Sequence, residues 1–232
     1  TLVSTIAIGS VFFYYYPSSE SLQAVSRNDF MISATRYING LDGKTVTKKT
    51  DTVLQVVGIM VDNHPNAHPE SGIAKAKIVY EAPVEGGLTR YLAIFDSKQV
   101  VPEIGPVRSA RPYFIDWLQE YGRGLYMHSG GSPEALSLIK ERNIFDANEF
   151  YRGQYYWRNE GRSAPHNLYT SSDNWGKIVS KYGGGGSLFT ADKAWQYSKL
   201  VGQTIKKNVT LKIPFSESYG VTWTYDAKNL NY

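Results

Sequence analysis

Cysteine is absent from all 232 residues. That excludes disulfide frameworks, cysteine-ligated zinc, iron–sulfur clusters and cysteine nucleophiles, while leaving the compartment open. Histidine is scarce, with four in the chain, at positions 64, 68, 128 and 166. His64 and His68 stand four apart, but Pro65 and Pro69 follow them, so a helical zinc pair of the H-E-x-x-H kind is excluded. A loop metal site joining them to Asp62 is an alternative; polar histidines in turns is the reading adopted, with no metal or cofactor expected. The glycine turn in Met127–Glu134 has neither the Lys-Ser/Thr ending nor the spacing of a Walker A loop and is not a G-x-S-x-G elbow, so it supports neither a P-loop nucleotide site nor an α/β-hydrolase nucleophile. A large excess of either charge is also lacking. Against 25 Lys and Arg stand 21 Asp and Glu, a net charge of +4. Anionic partners fit that balance, whereas a nucleic-acid partner is not expected.

What is present points to a packed domain. Hydrophobic residues reach 42%, and 18 Tyr with 5 Trp can fill a sizeable core, which excludes a collagen-like, coiled-coil or wholly disordered chain. The start is different. Thr1–Tyr16 carries no charge and ends in three tyrosines before Pro17, like an interfacial aromatic belt. As a helix it extends about 24 Å against a hydrocarbon core of ~30 Å, so we expect a membrane anchor cut short at its upstream end. A signal-peptide core and a buried helix are the alternatives. Residues 17–52 are polar and read as a linker, 53–205 as an α/β domain, and 206–232 as the start of a truncated β-rich domain.

Within 53–205 the pattern alternates. Val53–Asp62 is almost continuously apolar and β-branched, as a central buried strand requires. Lys77–Ala82, Arg90–Phe95 and Gly124–Ser129 are further strands. Pro112–Tyr121 has aromatic residues at helical spacing, with Ser109 expected as its cap. A second helix is expected to begin at Ser132-Pro133-Glu134 and run to about Asn143, a third near Ser172, and a fourth from Asp192. Val209–Phe215 and Gly220–Tyr225 resemble a hairpin. The fold expected is α/β: a mixed, largely buried sheet with flanking helices, preceded by an N-terminal transmembrane helix and a polar stalk. Its expected core holds Val57, Ile59, Val61, Ile78, Val79, Leu92, Ile94, Phe114, Trp117 and Leu118.

Ligands of open α/β sheets gather at strand ends. Four segments qualify: Asp62–Gly72, Glu81–Arg90, Gly105–Pro112 and Met127–Glu134. Arg108 and Arg111 open a helix, where the dipole disfavours cations, so a bound anion would offset them. The alternative is pairing with Asp62, Glu81, Glu85 or Asp116. His128, Ser129, Gly130, Gly131 and Ser132 form a strand-to-helix turn whose free N–H groups suit an anion, or which serves geometry alone. Arg162 and His166 lie in an aromatic, basic loop able to cover a cleft. Asp62, Arg90, Arg108, Arg111, His128–Ser132, Arg162 and His166 therefore make up one expected ligand site, with no catalytic residue assigned.

The strings VGIMVDNHPNAHPESGIAKAKIVYEAPVEGGLTRYLAIF, EIGPVRSARPYFIDWLQEY, YMHSGGSPEAL and RSAPHNLYTS closely resemble the YerB-like family. Its members are bacterial cell-envelope proteins, often lipoproteins, described through a domain of unknown function. The resemblance runs from about Asn39 to the C-terminus. It implies a domain tethered to the bacterial cell membrane on the extracytoplasmic side, and it carries over no catalytic residue. Two departures stand out: the lipobox cysteine is missing, and the family's second, β-rich domain has only its beginning here. Two functions follow as expectations. One is a module binding an anionic small molecule, wall polymer or envelope partner, its oligomeric state left open. The other is a phosphotransferase resembling the LytR-CpsA-Psr enzymes, with Arg90, Arg108 and Arg111 on pyrophosphate and Asp62 or Asp116 on a divalent cation.

Overall fold

The computed structural model describes residues 37–183, 188–190, 209–217 and 219–226. The chain divides after Arg36, and all described residues belong to the unit beginning at Tyr37. The expected anchor at Thr1–Tyr16 and the expected helix from Asp192 lie outside the described residues. Among the described residues no helix is long and apolar enough to cross a membrane.

In chain order the strands are β1 (Tyr37–Ile38), β2 (Thr45–Val46), β3 (Val53–Leu54), β4 (Val56–Asp62), β5 (Ile78–Pro83), β6 (Thr89–Asp96), β7 (Leu125–His128), β8 (Phe145–Asn148), β9 (Trp157–Arg158), β10 (Leu168–Tyr169), β11 (Phe189–Thr190), β12 (Thr210–Pro214) and β13 (Gly220–Thr224). The α-helices are α1 (Pro112–Gln119), α2 (Pro133–Glu141), α3 (Glu149–Arg152) and α4 (Ser172–Tyr182). Five strands form the central sheet in the order β5-β6-β4-β7-β8. β4, β7 and β8 are parallel, and β6 lies antiparallel between β4 and β5. The mixed sheet with flanking helices is thus the architecture of this unit.

Its centre is β4, every residue of which is buried. Alternate side chains serve two cores. Val57, Ile59 and Val61 join Phe95, Met127, Ala147 and, from α4, Trp175 and Ile178. Val56 and Met60 join Leu92, Ile94 and Tyr126 with Phe114, Ile115 and Leu118 of α1 and Ala135 and Ile139 of α2. Burial on both faces explains why the strand reads as an unbroken apolar run instead of an alternation. Gly58 permits the closeness of α1, since a Cβ there would lie 2.7 Å from Leu118 Cδ1.

Several expectations change. The run from Val53 splits at Gln55, and Val53–Leu54 pairs with β11 instead of continuing β4. Val79, expected in the core, is 43% exposed, because β5 is the sheet edge. Ile78 and Trp117 are half-buried beside the second core. Ser109 does not cap α1; Arg111 holds the cap position without a side-chain hydrogen bond. Ser132 does cap α2, its hydroxyl accepting from Ala135 N–H at 3.2 Å. β8 and α3 were not anticipated. From Tyr37 the stretch expected as linker is folded: β1 pairs with β2, Leu41 is 2% exposed within the second core, and Asp42 binds Lys77 at 2.5 Å. The expected hairpin forms, β12 against β13, with Leu211 opposite Trp223 and Ile213 opposite Val221.

Trp175 is fully buried against Phe95 and donates its indole N–H to Ser97 C=O at 2.9 Å. Trp175→Ala should cost roughly 3–5 kcal/mol in a denaturant titration, while Val79→Ala should cost under ~1 kcal/mol. Equal losses would contradict this assignment of core and edge.

Candidate functional site

The carboxyl ends of β4, β7 and β8 meet the end of β5 and the start of β6 on one side of the sheet, as the register of Asp62 opposite Arg90 and Ala82 opposite Arg90 fixes. A segment without helix crosses this rim. Asp62 N–H donates to Pro106 C=O at 2.9 Å, Arg108 N–H to Met60 C=O at 3.0 Å, and Ser129 N–H to Arg108 C=O at 3.0 Å. Residues 106–110 are thereby inserted between the ends of β4 and β7, which brings Arg108 over the last residue of β4.

Asp62 is the hub. It is 3% exposed, and Oδ1 accepts from His64 N–H at 3.1 Å. Oδ2 pairs with His166 Nδ1 at 2.7 Å and lies 3.1 Å from Arg108 Nε. The arginine contact is Coulombic: Nε is buried yet off the line of a hydrogen bond. An ionised carboxylate only accepts, so His166 carries its proton on Nδ1. The His64 ring stacks on His166 with centroids 4.4 Å apart. Among the described residues the terminal nitrogens of Arg108 have no hydrogen-bond partner, and neither they nor His166 Nε2 are sealed from solvent.

Arg90 stands beside this group and donates from Nη1 to Ser109 C=O at 3.0 Å. Burial, and then the positive charges of Arg111 and Arg108, lower its pKa to about 10, against the pull of Asp62 and Glu85. Three guanidinium groups thus share one electrostatic neighbourhood. Arg111, however, is taken by Glu85 in a two-pronged pair at 2.7 and 2.6 Å. That bond, ahead of weaker contributions, holds the Glu85 carboxyl down at about 2. Across the rim Asn63 donates to Glu81 and Thr89, and Tyr219, from the β12–β13 turn, donates to Asn63 C=O at 2.7 Å. Burial first, and then the negative charge of Asp62, raise the Tyr219 pKa.

The remaining expected residues stand otherwise. His128 is fully buried, with Nδ1 on Gly130 C=O at 2.6 Å and Nε2 on Asp146 at 2.8 Å, so neither nitrogen is open. Ser129 Oγ donates to Glu149, and Gly130 N–H donates to Asn148. Gly130 needs its glycine: φ is +64°, and a Cβ would meet the Phe150 ring at 2.6 Å. Gly131 bridges to Ala110, and Ser132 N–H goes to Ala110 C=O. Pro133 lacks an N–H and Ala135 N–H is bound to Ser132, so of the first turn of α2 only Glu134 N–H has no partner among the described residues. Arg162 donates to the carbonyls of Ala67 and Pro69 and braces that loop. Asp116 pairs with Arg142 on α1's outer side and does not join the cluster. Asn63 and Tyr219 were not anticipated, and the partners supplied by β8 and α3 (Asp146, Asn148 and Glu149) followed from overlooking those elements.

A hollow of about 390 Å³ lies at the other end of β7 and β8, lined by Leu118, Gly124, Arg142, Phe145 and neighbours. It gathers no carboxylate or imidazole. The Asp62 cluster is the better candidate.

Fold and site together define a mixed α/β domain with an arginine, aspartate and histidine cluster at the carboxyl end of its parallel strands. Residues 41–184 match the model of a protein family of unknown function, the DUF3048 N-terminal domain, and the chain belongs to that family. It is 39% identical over 185 residues to a Bacillus subtilis protein named "Putative lipoprotein YerB", an alignment spanning 79% of this chain and 52% of that one. The crystal structure of Bacillus subtilis YerB superposes with a TM-score of 0.65 at 33% identity, covering 83% of this chain and 64% of that chain. The chain therefore spans about half the length of the curated relative it matches.

Because the folded-state pKa of Glu85 is lowered, its contribution to stability is complete above the ordinary carboxylate range and is lost as pH falls toward about 2. The carboxylate is 67% exposed, so screening keeps that contribution small. Urea titrations should show Glu85→Gln less stable by under ~1 kcal/mol at neutral pH, the two curves converging on acidification from about pH 5 to 2. A gap that widens with acid would contradict the pairing.

Proposed function

We propose that the chain is a membrane-tethered envelope protein whose domain holds an anionic group on Arg108 and Arg90. Arg108 carries the reading. Its Nε lies against Asp62, and its two terminal nitrogens are not sealed from solvent and have no partner among the described residues. Arg90 beside it is already strained electrostatically by its arginine neighbours, and an incoming anion relieves that repulsion. Phosphate and carboxylate both fit a guanidinium fork. Arg111 serves the site indirectly, since Glu85 occupies it. Tethering is supported by the uncharged, aromatic-ended Thr1–Tyr16 and by the lipoprotein name of the Bacillus relative. An anionic small molecule or wall polymer is the ligand class, and the reading requires no cofactor.

Titration calorimetry with methyl phosphate tests it. Binding should weaken as ionic strength rises, because Coulomb attraction dominates. Arg108→Gln should lose at least about tenfold in affinity, the loss of a charge-assisted hydrogen bond, whereas Lys140→Gln on α2 should lose nothing. Unchanged affinity in a folded Arg108→Gln protein, or no binding by the wild type, overturns the proposal.

A further inference from the structure

We propose that this site takes up a proton together with its ligand, and that the ligand is a phosphate monoester or a similar anion with a second ionisable oxygen. The inference rests on the arginine site proposed above and specifies what that site accepts.

The ground is the orientation of His166. Its Nδ1–H is committed to Asp62 Oδ2 at 2.7 Å, which leaves the lone pair on Nε2. Nε2 has no hydrogen-bond partner among the described residues, and it is not among the buried, unpartnered atoms. The same oxygen of Asp62 lies 3.1 Å from Arg108 Nε, so imidazole and guanidinium stand side by side on one carboxylate atom. An anion on the outer nitrogens of Arg108 therefore comes to rest beside an imidazole lone pair. Two lone pairs facing each other repel; one proton between them turns the contact into a charge-assisted hydrogen bond. Whether that proton is counted on Nε2 or on the phosphate oxygen, the complex holds it.

The surroundings favour an added proton at this place without supplying it. Asp62 on β4 attracts it, and Arg108 on the crossing segment and Arg90 on β6 oppose it. The bound anion offsets that opposition. His64, stacked on the ring, has its Nδ1 lone pair engaged by Asn66 N–H and carries its own proton on Nε2, so it offers no free lone pair for a further proton. Tyr219, coupled to Asp62, is held neutral, its pKa raised by burial and by that carboxylate. Arg162, on the same loop as His166, is spent on the Ala67 and Pro69 carbonyls. Glu70 and Glu81, which also act on Tyr219, add negative charge on that side, and among the side chains bound to Asp62 His166 is the one with an open lone pair to share the proton.

Ligand choice follows from the shared proton. A phosphate monoester has a second ionisation near pH ~6 and can bring the proton on its own oxygen or leave it to the imidazole. A diester carries one negative charge, so once the imidazole holds the proton it meets Arg108 and Arg90 with one charge fewer than the monoester dianion. Near neutrality the monoester has the advantage.

Calorimetry of methyl phosphate at about pH 7.5, in buffers of different ionisation enthalpy, measures proton uptake directly. Net uptake is expected, with methyl phosphate binding at least about tenfold tighter than dimethyl phosphate, one charge-assisted hydrogen bond. Both readouts use the wild-type chain. His166→Asn and His166→Gln should each bind methyl phosphate without proton uptake and with the preference over dimethyl phosphate lost. Binding of methyl phosphate with no uptake, or equal affinity for the two esters, overturns this inference and leaves the arginine site standing. Absence of any phosphate binding overturns both.

Discussion

The buried carboxylate of Asp62 is the constraint on which the site depends. A charge only 3% exposed at the end of a central strand is tolerable when its oxygens are satisfied, and here three separate segments satisfy them. His64 N–H comes from the loop that leaves β4, His166 from the loop before β10, and Arg108 from the segment inserted at the sheet rim. These loops are far apart in sequence, and buried Ala67 and Val107 together with backbone bonds such as Ser71 to Gly105 and Val107 to Leu168 hold them at the rim. The carboxylate gives them a common point. Removing it would leave an arginine and a histidine at the rim without their counter-charge.

Charge accounting then separates the three arginines. Arg111 is neutralised by Glu85, a pair strong enough to lower that carboxyl well below its ordinary range. Arg108 shares Asp62 with His166 and is only partly compensated. Arg90 has a backbone carbonyl and two cationic neighbours. The uncompensated positive charge therefore sits on Arg108 and Arg90, beside an imidazole with one open nitrogen. This distribution, more than the number of basic residues, makes the rim receptive to an anion.

Much of the scaffold was legible in the sequence. An apolar, β-branched run suited a strand buried on both faces, as Val56–Asp62 is, and Ser132-Pro133-Glu134 spelled a helix start that the Ala135-to-Ser132 hydrogen bond realises. The gathering of Asp62, Arg90 and Arg108 followed from a rule about strand ends, and His166 was expected from a basic, aromatic loop able to cover a cleft. What escaped was pairing across long separations. β8 is four residues long, too short for its period to stand out, and without it nothing announced that Asp146 and Asn148 would occupy His128 and the glycine turn. The same holds for Glu85, one of several acids available to the arginines. Residues 37–52 look polar because only Leu41 among them enters a core deeply. Val79 misled for the opposite reason: a β-branched residue reads the same at an edge as at a centre, and only strand order tells them apart.

The most direct test of the account is nitrogen-15 NMR of the histidine side chains during titration with methyl phosphate. His128, bonded at both nitrogens in the interior, serves as the internal reference. The account predicts that His166 keeps its Nδ1 proton throughout, and that its Nε2 resonance moves saturably while both His128 nitrogens stay fixed. The same titration should leave His166 still in the Arg108→Gln protein. A His166 Nε2 resonance that does not move as the wild-type chain binds phosphate would contradict the placement of the anion beside Asp62, Arg108 and His166.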